Sequence, residues 1–188
     1  MRLSAALALF STVAVVGCGQ PVTPVGPSSL GPGSAAGSSD SNSTRKATGP
    51  VAVPFEGTLQ GEADPPVFEP PPSPYFTTRL RATGQATQLG RFTMEFSHRV
   101  NLDTLAGAGE AVFTAANGDM LTTDVAGTAA PAGSPTAFIV TETHTVTGGT
   151  GRFAGAGGTF VITRAVDFAD PSTSGKIDGW ITAPGGTF

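Results

Sequence analysis

The stretch TGGTGRFAGAGGTF, residues 147–160, holds six glycines and decides how this chain can fold. Within it, GTGRFA (residues 149–154) matches the dinucleotide-binding pattern G-x-G-x-x-G/A. That pattern holds a pyrophosphate only where it follows a strand and begins a helix. Here further glycines follow, and each disfavours a helix by about 1 kcal/mol relative to Ala. We therefore reject nucleotide binding and predict that the glycines allow bulges and sharp bends in a sheet, with Phe153 anchored inside.

The segment around these glycines alternates apolar and polar residues with period two, as strands do. The clearest example is RFTMEFSHRV, residues 91–100. Asn117-Gly118 predicts a two-residue type I′ hairpin turn. We expect an all-β domain, an eight-stranded antiparallel barrel, with a two-sheet sandwich as the alternative. The expected strands are 53–60, 76–85, 89–100, 108–116, 119–127, 136–147, 158–168 and 175–183.

The glycine-rich motif also resembles a signature shared by plant dirigent proteins and allene oxide cyclases. ATQLGRFTMEF and FTAANGDML resemble segments of bacterial relatives described as allene oxide cyclase barrel-like. The resemblance implies a lipocalin-like barrel, a trimer as in the plant members and, if the chain is an enzyme, a cofactor-independent isomerase or cyclase. The residues that carry it are structural: Gly148, Gly149, Thr150, Gly151, Phe153, Gly155, Asn117 and Gly118.

No catalytic residue carries over from these families. The cyclases use a carboxylate on the first strand, and the only such residue here is Glu56. Its parity is opposite to that of Phe55 and Leu59, so we expect it to face outward. The paired aspartates and arginines of the dirigent sites cannot be matched one by one.

Four polar residues share the parity of apolar neighbours and are weak candidates for a catalytic or binding site: Glu142, His144, His98 and Arg164. If they line the barrel, they must pair with one another or with a polar ligand, and a Glu–His pair could act as a general base. The alternative is that they lie near strand ends at the rim, in water. No metal is expected, because metal binding by His98 and His144 would require two distant strands to be neighbours and a third ligand. No cofactor is expected either.

The N-terminal sequence resembles a bacterial lipoprotein signal. Residues 1–17 combine a positive start with an apolar run too short to span a bilayer, and the run ends at Cys18, the only cysteine. Residues 18–50, rich in Gly, Pro and Ser, are expected to be a disordered tether, and 51–188 the folded domain. Cys18 would be lipidated, which places the protein outside the cytoplasm, on the outer membrane if the cell has two.

Composition narrows the possible functions. Ten Lys and Arg in a chain of net charge −4 do not provide the basic surface that nucleic acids require. Three functions stay open: binding a small apolar or amphipathic molecule in the barrel, which we favour, cyclase-like or dirigent-like activity, and surface interaction by a barrel filled with its own side chains. Small residues at inward positions, such as Ala82 and Ala111, fit either a filled or an open interior.

The proline-rich segment 64–75 is expected to be a rigid connector, a cap on one barrel end or a docking segment.

Overall fold

The computed structural model of the chain describes residues 51–183. The predicted signal peptide (1–17), Cys18 and the predicted linker (18–50) lie outside the described residues, as do residues 184–188. Within the described part, no helix is both long and apolar enough to cross a membrane.

Long antiparallel strands make up almost all of the described chain. In chain order they are β1 (Val51–Pro54), β2 (Gly57–Ala63), β3 (Val67–Phe68), β4 (Tyr75–Ala86), β5 (Gly90–Asn101), β6 (Ala106–Ala115), β7 (Met120–Pro131), β8 (Ala137–Gly149), β9 (Gly157–Asp167) and β10 (Asp170–Ala183). Each strand from β4 to β9 pairs with the next, β2 pairs with β4, and β10 pairs with both β9 and β2. The sheet therefore closes into a barrel of eight strands, β2 and β4–β10, which confirms the predicted fold and excludes the sandwich.

The first expected strand, 53–60, is in fact two segments that lie along the same edge of β10. β1 pairs from Val51 opposite Ala183 to Pro54 opposite Trp180, and β2 resumes with Gly57 opposite Ile177. Between them, Phe55 is fully buried and still donates its N–H to the Gly179 carbonyl at 2.9 Å. The interruption aims this ring into the barrel without opening the sheet.

The β6–β7 hairpin lies at Asn117-Gly118 as predicted, but its turn type differs. A type I′ turn needs positive φ at both residues, whereas only Gly118 has it, at 88°. The Gly118 N–H bonds the Ala115 carbonyl at 2.9 Å, and Asn117 bonds Asp119 through its side chain at 2.8 Å. This is a three-residue loop in which one left-handed glycine follows a type I turn, and the Asn117 side chain bonds forward along the loop to Asp119.

The glycine-rich stretch closes one end of the barrel. A bulge against Thr122 and Thr123 interrupts β8 just before Gly148, and a short 3₁₀ turn, Gly151–Phe153, follows β8. Phe153 is fully buried, as predicted. Gly149 makes this approach possible, because a Cβ there would lie 2.7 Å from the Cβ of Phe153. The segment then enters β9 with no α-helix, so the nucleotide-binding interpretation fails on its second requirement.

Hydrogen bonds tie this turn to the neighbouring connections. The Thr150 N–H donates to the Met120 carbonyl at 2.8 Å, and the Arg152 guanidinium donates to the Leu89 carbonyl at 3.1 Å. We call this end of the barrel, with the 3₁₀ turn and the β6–β7 hairpin, the closed end. The opposite end, where segment 64–74 and the β5–β6, β7–β8 and β9–β10 connections lie, is the mouth.

Aromatic rings fill the closed half of the interior. Phe55 lies 4.7 Å from Phe160, and Phe113 lies 5.7 Å from Phe160 and 5.6 Å from Phe92, measured between ring centroids. Tilted and edge-on contacts of this kind stabilise a core beyond the area they bury. This half of the barrel therefore has the self-filled interior that one of the sequence-based hypotheses describes.

Replacing Phe153 should test how much the plug contributes. We expect Phe153→Ala to lower the free energy of unfolding by about 3–5 kcal/mol, because it leaves a cavity at a fully buried ring. The matched control is Phe68→Ala, a ring that is 60% exposed, with an expected loss of about 1 kcal/mol or less. Urea denaturation measures both, and equal losses would contradict the assigned role of Phe153.

Candidate functional site

A cavity of about 610 Å³ occupies the mouth half of the barrel. Its walls are mostly apolar and include Phe76, Phe96, Val125, Phe138, Val140 and Val166. Two larger depressions, about 1400 and 930 Å³, are more open to solvent and involve outward-facing residues such as Gln60, Thr83 and Ser174. The mouth cavity is thus the space among these that best encloses a molecule.

The polar floor of the cavity is an ion pair between neighbouring strands. Glu142 on β8 and Arg164 on β9 are each only 4% exposed. Arg164 Nε donates to Oε2 of Glu142 at 2.9 Å, and Nη2 donates to Oε1 at 2.7 Å. This two-point geometry is the strongest form of the Arg–carboxylate contact, and it compensates part of the cost of removing both charges from water.

A glycine stands opposite each of three inward polar residues on an adjacent strand. Gly127 faces Glu142, Gly109 faces His98 and Gly175 faces Arg164. A Cβ would lie 2.9 Å from Glu142 Cγ at the first position, 2.8 Å from His98 Cβ at the second and 2.7 Å from Arg164 Cβ at the third. The three glycines therefore create the space that these larger side chains occupy inside a narrow barrel.

The two histidines lie at different depths. His98 on β5 lines the cavity and stacks on Phe96, with centroids 4.3 Å apart. His144 on β8 is fully buried one layer further toward the closed end, stacked on Phe160 at 4.9 Å. Its Nδ1 lies 3.0 Å from the hydroxyl of Thr123 on β7. Within residues 51–183, Nδ1 of His98 and Nε2 of His144 have no hydrogen-bond partner.

Both imidazoles are uncharged at neutral pH. Burial, and secondarily the positive charge of Arg164, lowers the pKa of His98 to about 4 and that of His144 to about 3. Each effect acts against the charged form, the first by removing water and the second by repulsion. The cavity wall thus carries a neutral ring that can accept or share a proton.

The structure brings all four candidate residues inside the barrel. Glu142, Arg164 and His144 are buried in its middle, and His98 lines the cavity beside them, so the interpretation that placed them at a solvated rim does not hold. Glu56 is exposed, as its parity predicted. Within residues 51–183, no three His, Asp, Glu or Cys side chains are grouped closely enough to hold a metal ion.

Sequence reasoning missed Thr123, which is 1% exposed and contacts His144. The available signal was its parity, since it shares one strand face with Leu121 and Val125. Two glycine positions could also have been found this way. Gly109 and Gly127 fall on the inward parity of their strands, which for a glycine indicates room made for a neighbour.

The proline-rich segment borders the cavity instead of projecting away from the barrel. Asp64, Pro65 and Pro66 line the mouth, and β3 within the segment pairs with β4. Arg99 on β5 binds both carboxylate oxygens of Glu69, at 2.5 and 2.9 Å, and Ser73 donates to the same carboxylate at 2.6 Å. Of the three interpretations, an ordered connector that also borders one barrel end describes it best.

No protein-family model matches this chain, and no curated protein does so either. Among solved structures, the chain is similar to the pterocarpan synthase dirigent protein GePTS1, with a TM-score of 0.49 and 12% sequence identity over 71% of this chain and 89% of that one. That protein belongs to one of the two groups that the glycine-rich motif resembles.

The neutral histidines predict a pH-dependent stability. As pH falls below about 6.5, the unfolded chain binds protons that folded His98 and His144 do not bind until about pH 4 and about pH 3. Stability should therefore begin to fall as the pH drops through about 6.5, and at pH 5 it should be lower than at pH 7.5 by roughly 4 kcal/mol, about 2 kcal/mol for each His.

Urea denaturation between pH 7.5 and 5 measures this loss. The control is the double variant His98→Leu/His144→Leu, in which the pH dependence over this interval should disappear. A wild-type stability that stays constant from pH 6.5 to 5 would show that the two rings protonate as easily in the folded state as in the unfolded chain.

Removing one partner of the ion pair should be far more harmful than removing both. Glu142→Leu leaves the Arg164 guanidinium buried without its carboxylate, and we expect a loss of about 3–5 kcal/mol in the free energy of unfolding. Glu142→Leu/Arg164→Met should recover most of this loss, because no buried charge is left unpaired. Chemical denaturation measures both, and equal losses would mean that shape rather than charge pairing stabilises the floor.

Proposed function

We propose that this protein binds a small molecule with an apolar body inside the mouth half of its barrel. The observation that carries the proposal is the cavity of about 610 Å³ with apolar walls and a polar floor. Ligand pockets of about 300–1,000 Å³ are commonly apolar, with a few polar groups that fix orientation. Glu142, Arg164 and His98 provide such groups at one side of the cavity.

The division of the interior supports binding over a purely structural role. The closed half is packed by Phe55, Phe113, Phe153 and Phe160, so the sequence contains enough large side chains to fill a barrel of this width. In the mouth half, large inward residues give way to Val125, Gly127 and Ala129 on β7. A barrel that needed only to be stable would gain by filling this space as well.

The N-terminal prediction adds a location to this proposal. Lipidation at Cys18 would attach the protein to a membrane outside the cytoplasm, the outer one if the cell has two, and residues 18–50 would tether the barrel to it. Multiple acyl chains provide stable attachment where a single chain does not. A trimer is proposed on the family resemblance alone.

A second candidate is a cofactor-independent isomerase, cyclase or orienting protein. The observation that favours it is His98, a neutral imidazole that is largely removed from water on the wall of an apolar cavity. Such a ring can take a proton from a bound molecule and return it. This candidate differs from the first because it requires turnover, and a His98→Leu variant that binds but no longer turns over would distinguish the two.

Filling the cavity tests the proposed function. Val140 on β8 points into the cavity, and its neighbour Thr141 points outward and is exposed. We expect Val140→Trp to occupy ligand space and weaken binding of an uncharged apolar fluorophore, N-phenyl-1-naphthylamine, at least about tenfold, a change of about 1.4 kcal/mol. Thr141→Trp is the matched control and should leave binding unchanged.

Fluorescence titration measures the affinity of each form, and native mass spectrometry of the purified protein identifies any molecule that it carries. Equal affinity in both variants would place the fluorophore outside the barrel. No binding by the wild-type protein would contradict the proposed function.

A further inference from the structure

The charges around the cavity restrict which molecules it can accept, given the proposed function. At the floor, Arg164 is the only Arg or Lys that lines the cavity within residues 51–183. Two of its N–H groups donate to Glu142, so the pair is neutral as a unit. A guanidinium has more N–H donors than these two, and within residues 51–183 the remaining ones make no hydrogen bond to the protein.

Neither kind of ion is well accommodated at this floor. A ligand carboxylate that reached Arg164 would lie beside Glu142, so two like charges would meet where little water screens them. An ammonium group would lose its water, meet the charge of Arg164 and find Glu142 already paired; loss of water and then the charge of Arg164 also oppose protonation of His98 and His144. An uncharged oxygen can accept a hydrogen bond from Arg164 without displacing Glu142 and brings no charge to desolvate.

The mouth adds a second barrier against anions. Asp64, Asp167 and Asp170 line it, and Asp167 lies directly opposite Asp170 in the β9–β10 pairing. A hydrogen bond from the Ala169 N–H, with a second from Thr136, lowers the pKa of Asp167, so this carboxylate is ionised at neutral pH. Arg81 pairs with Asp64 at 2.7 Å but is itself exposed and does not line the cavity.

We infer that the ligand is an uncharged molecule, an apolar body with an acceptor oxygen such as that of a ketone or an ester, whose oxygen lies against Arg164 at the cavity floor. The apolar body then lies along the walls toward Phe76 and Phe138. Carboxylates and amines of the same length are discriminated against, the first at both floor and mouth and the second at the floor.

A head-group series at pH 7.5 tests this inference on the wild-type protein. N-phenyl-1-naphthylamine is bound first and then displaced by 2-decanone, decanoate or decylammonium, which share a ten-carbon skeleton. We expect 2-decanone to displace the fluorophore at a concentration at least about tenfold lower than either ion requires. Displacement by decanoate or decylammonium at the same or lower concentration overturns the inference, while bound fluorophore still supports the proposed function. If the fluorophore itself does not bind, both fail together.

Two double variants test the role of Arg164. Glu142→Leu/Arg164→Met removes the donors without leaving a buried charge, and we expect the affinity for 2-decanone to fall about tenfold relative to the affinity for the fluorophore. The control, Glu69→Leu/Arg99→Met, makes the same replacements in an ion pair that does not line the cavity and should leave 2-decanone binding unchanged. Unchanged 2-decanone binding in the first variant, measured where the fluorophore still binds, overturns the role of Arg164. The wild-type series decides the question of charge even if that variant does not fold.

Discussion

The pairing of β10 with both β9 and β2 is the constraint on which the rest of this structure depends. It closes the sheet at eight strands, and so fixes the width of the interior and makes every second residue of each strand compete for the same limited space. At the closed end, phenylalanines fill that space. In the middle, Arg164, Glu142 and His98 each lie opposite a glycine that leaves room for them. His144 contacts the hydroxyl of Thr123. Toward the mouth the interior is left open.

The polar middle layer combines two solutions to the cost of burying polar groups. Glu142 and Arg164 offset part of the cost because each contacts the other at two points. His98 and His144 avoid the cost by staying neutral, and the aromatic rings stacked on them are compatible with an uncharged imidazole. A layer that is polar without net charge can hold an oxygen-bearing molecule in place, whereas a layer with unpaired charge would demand an ion.

Period-two alternation was sufficient to predict the eight strands and the parity of His98, Glu142, His144 and Arg164. It could not give their depth, because depth depends on how far each strand continues past its apolar core. β10 begins at Asp170 and not near residue 175, and the extra residues at the mouth place Arg164 in the middle of the barrel.

The role of small inward residues was ambiguous for a similar reason. Ala82 and Ala111 are packed in the core, whereas Gly127 and Ala129 border the open cavity. The composition of a single strand cannot distinguish a packed small residue from one that borders a cavity, since the difference depends on the residue paired with it on the adjacent strand.

The packing of Phe153 at the closed end also determines where a ligand can enter and leave the barrel. With Phe153 and its neighbours packed across that end, the interior is a cup and not a tube. A bound molecule must leave by the route through which it arrived, and one occupant must depart before another of similar size can take its place. Exchange therefore takes place at the mouth, where Phe168, Leu102 and Pro66 lie on three of the connections that border the cavity. Changes to these connections would therefore alter the rates of capture and release together, since both use the same opening.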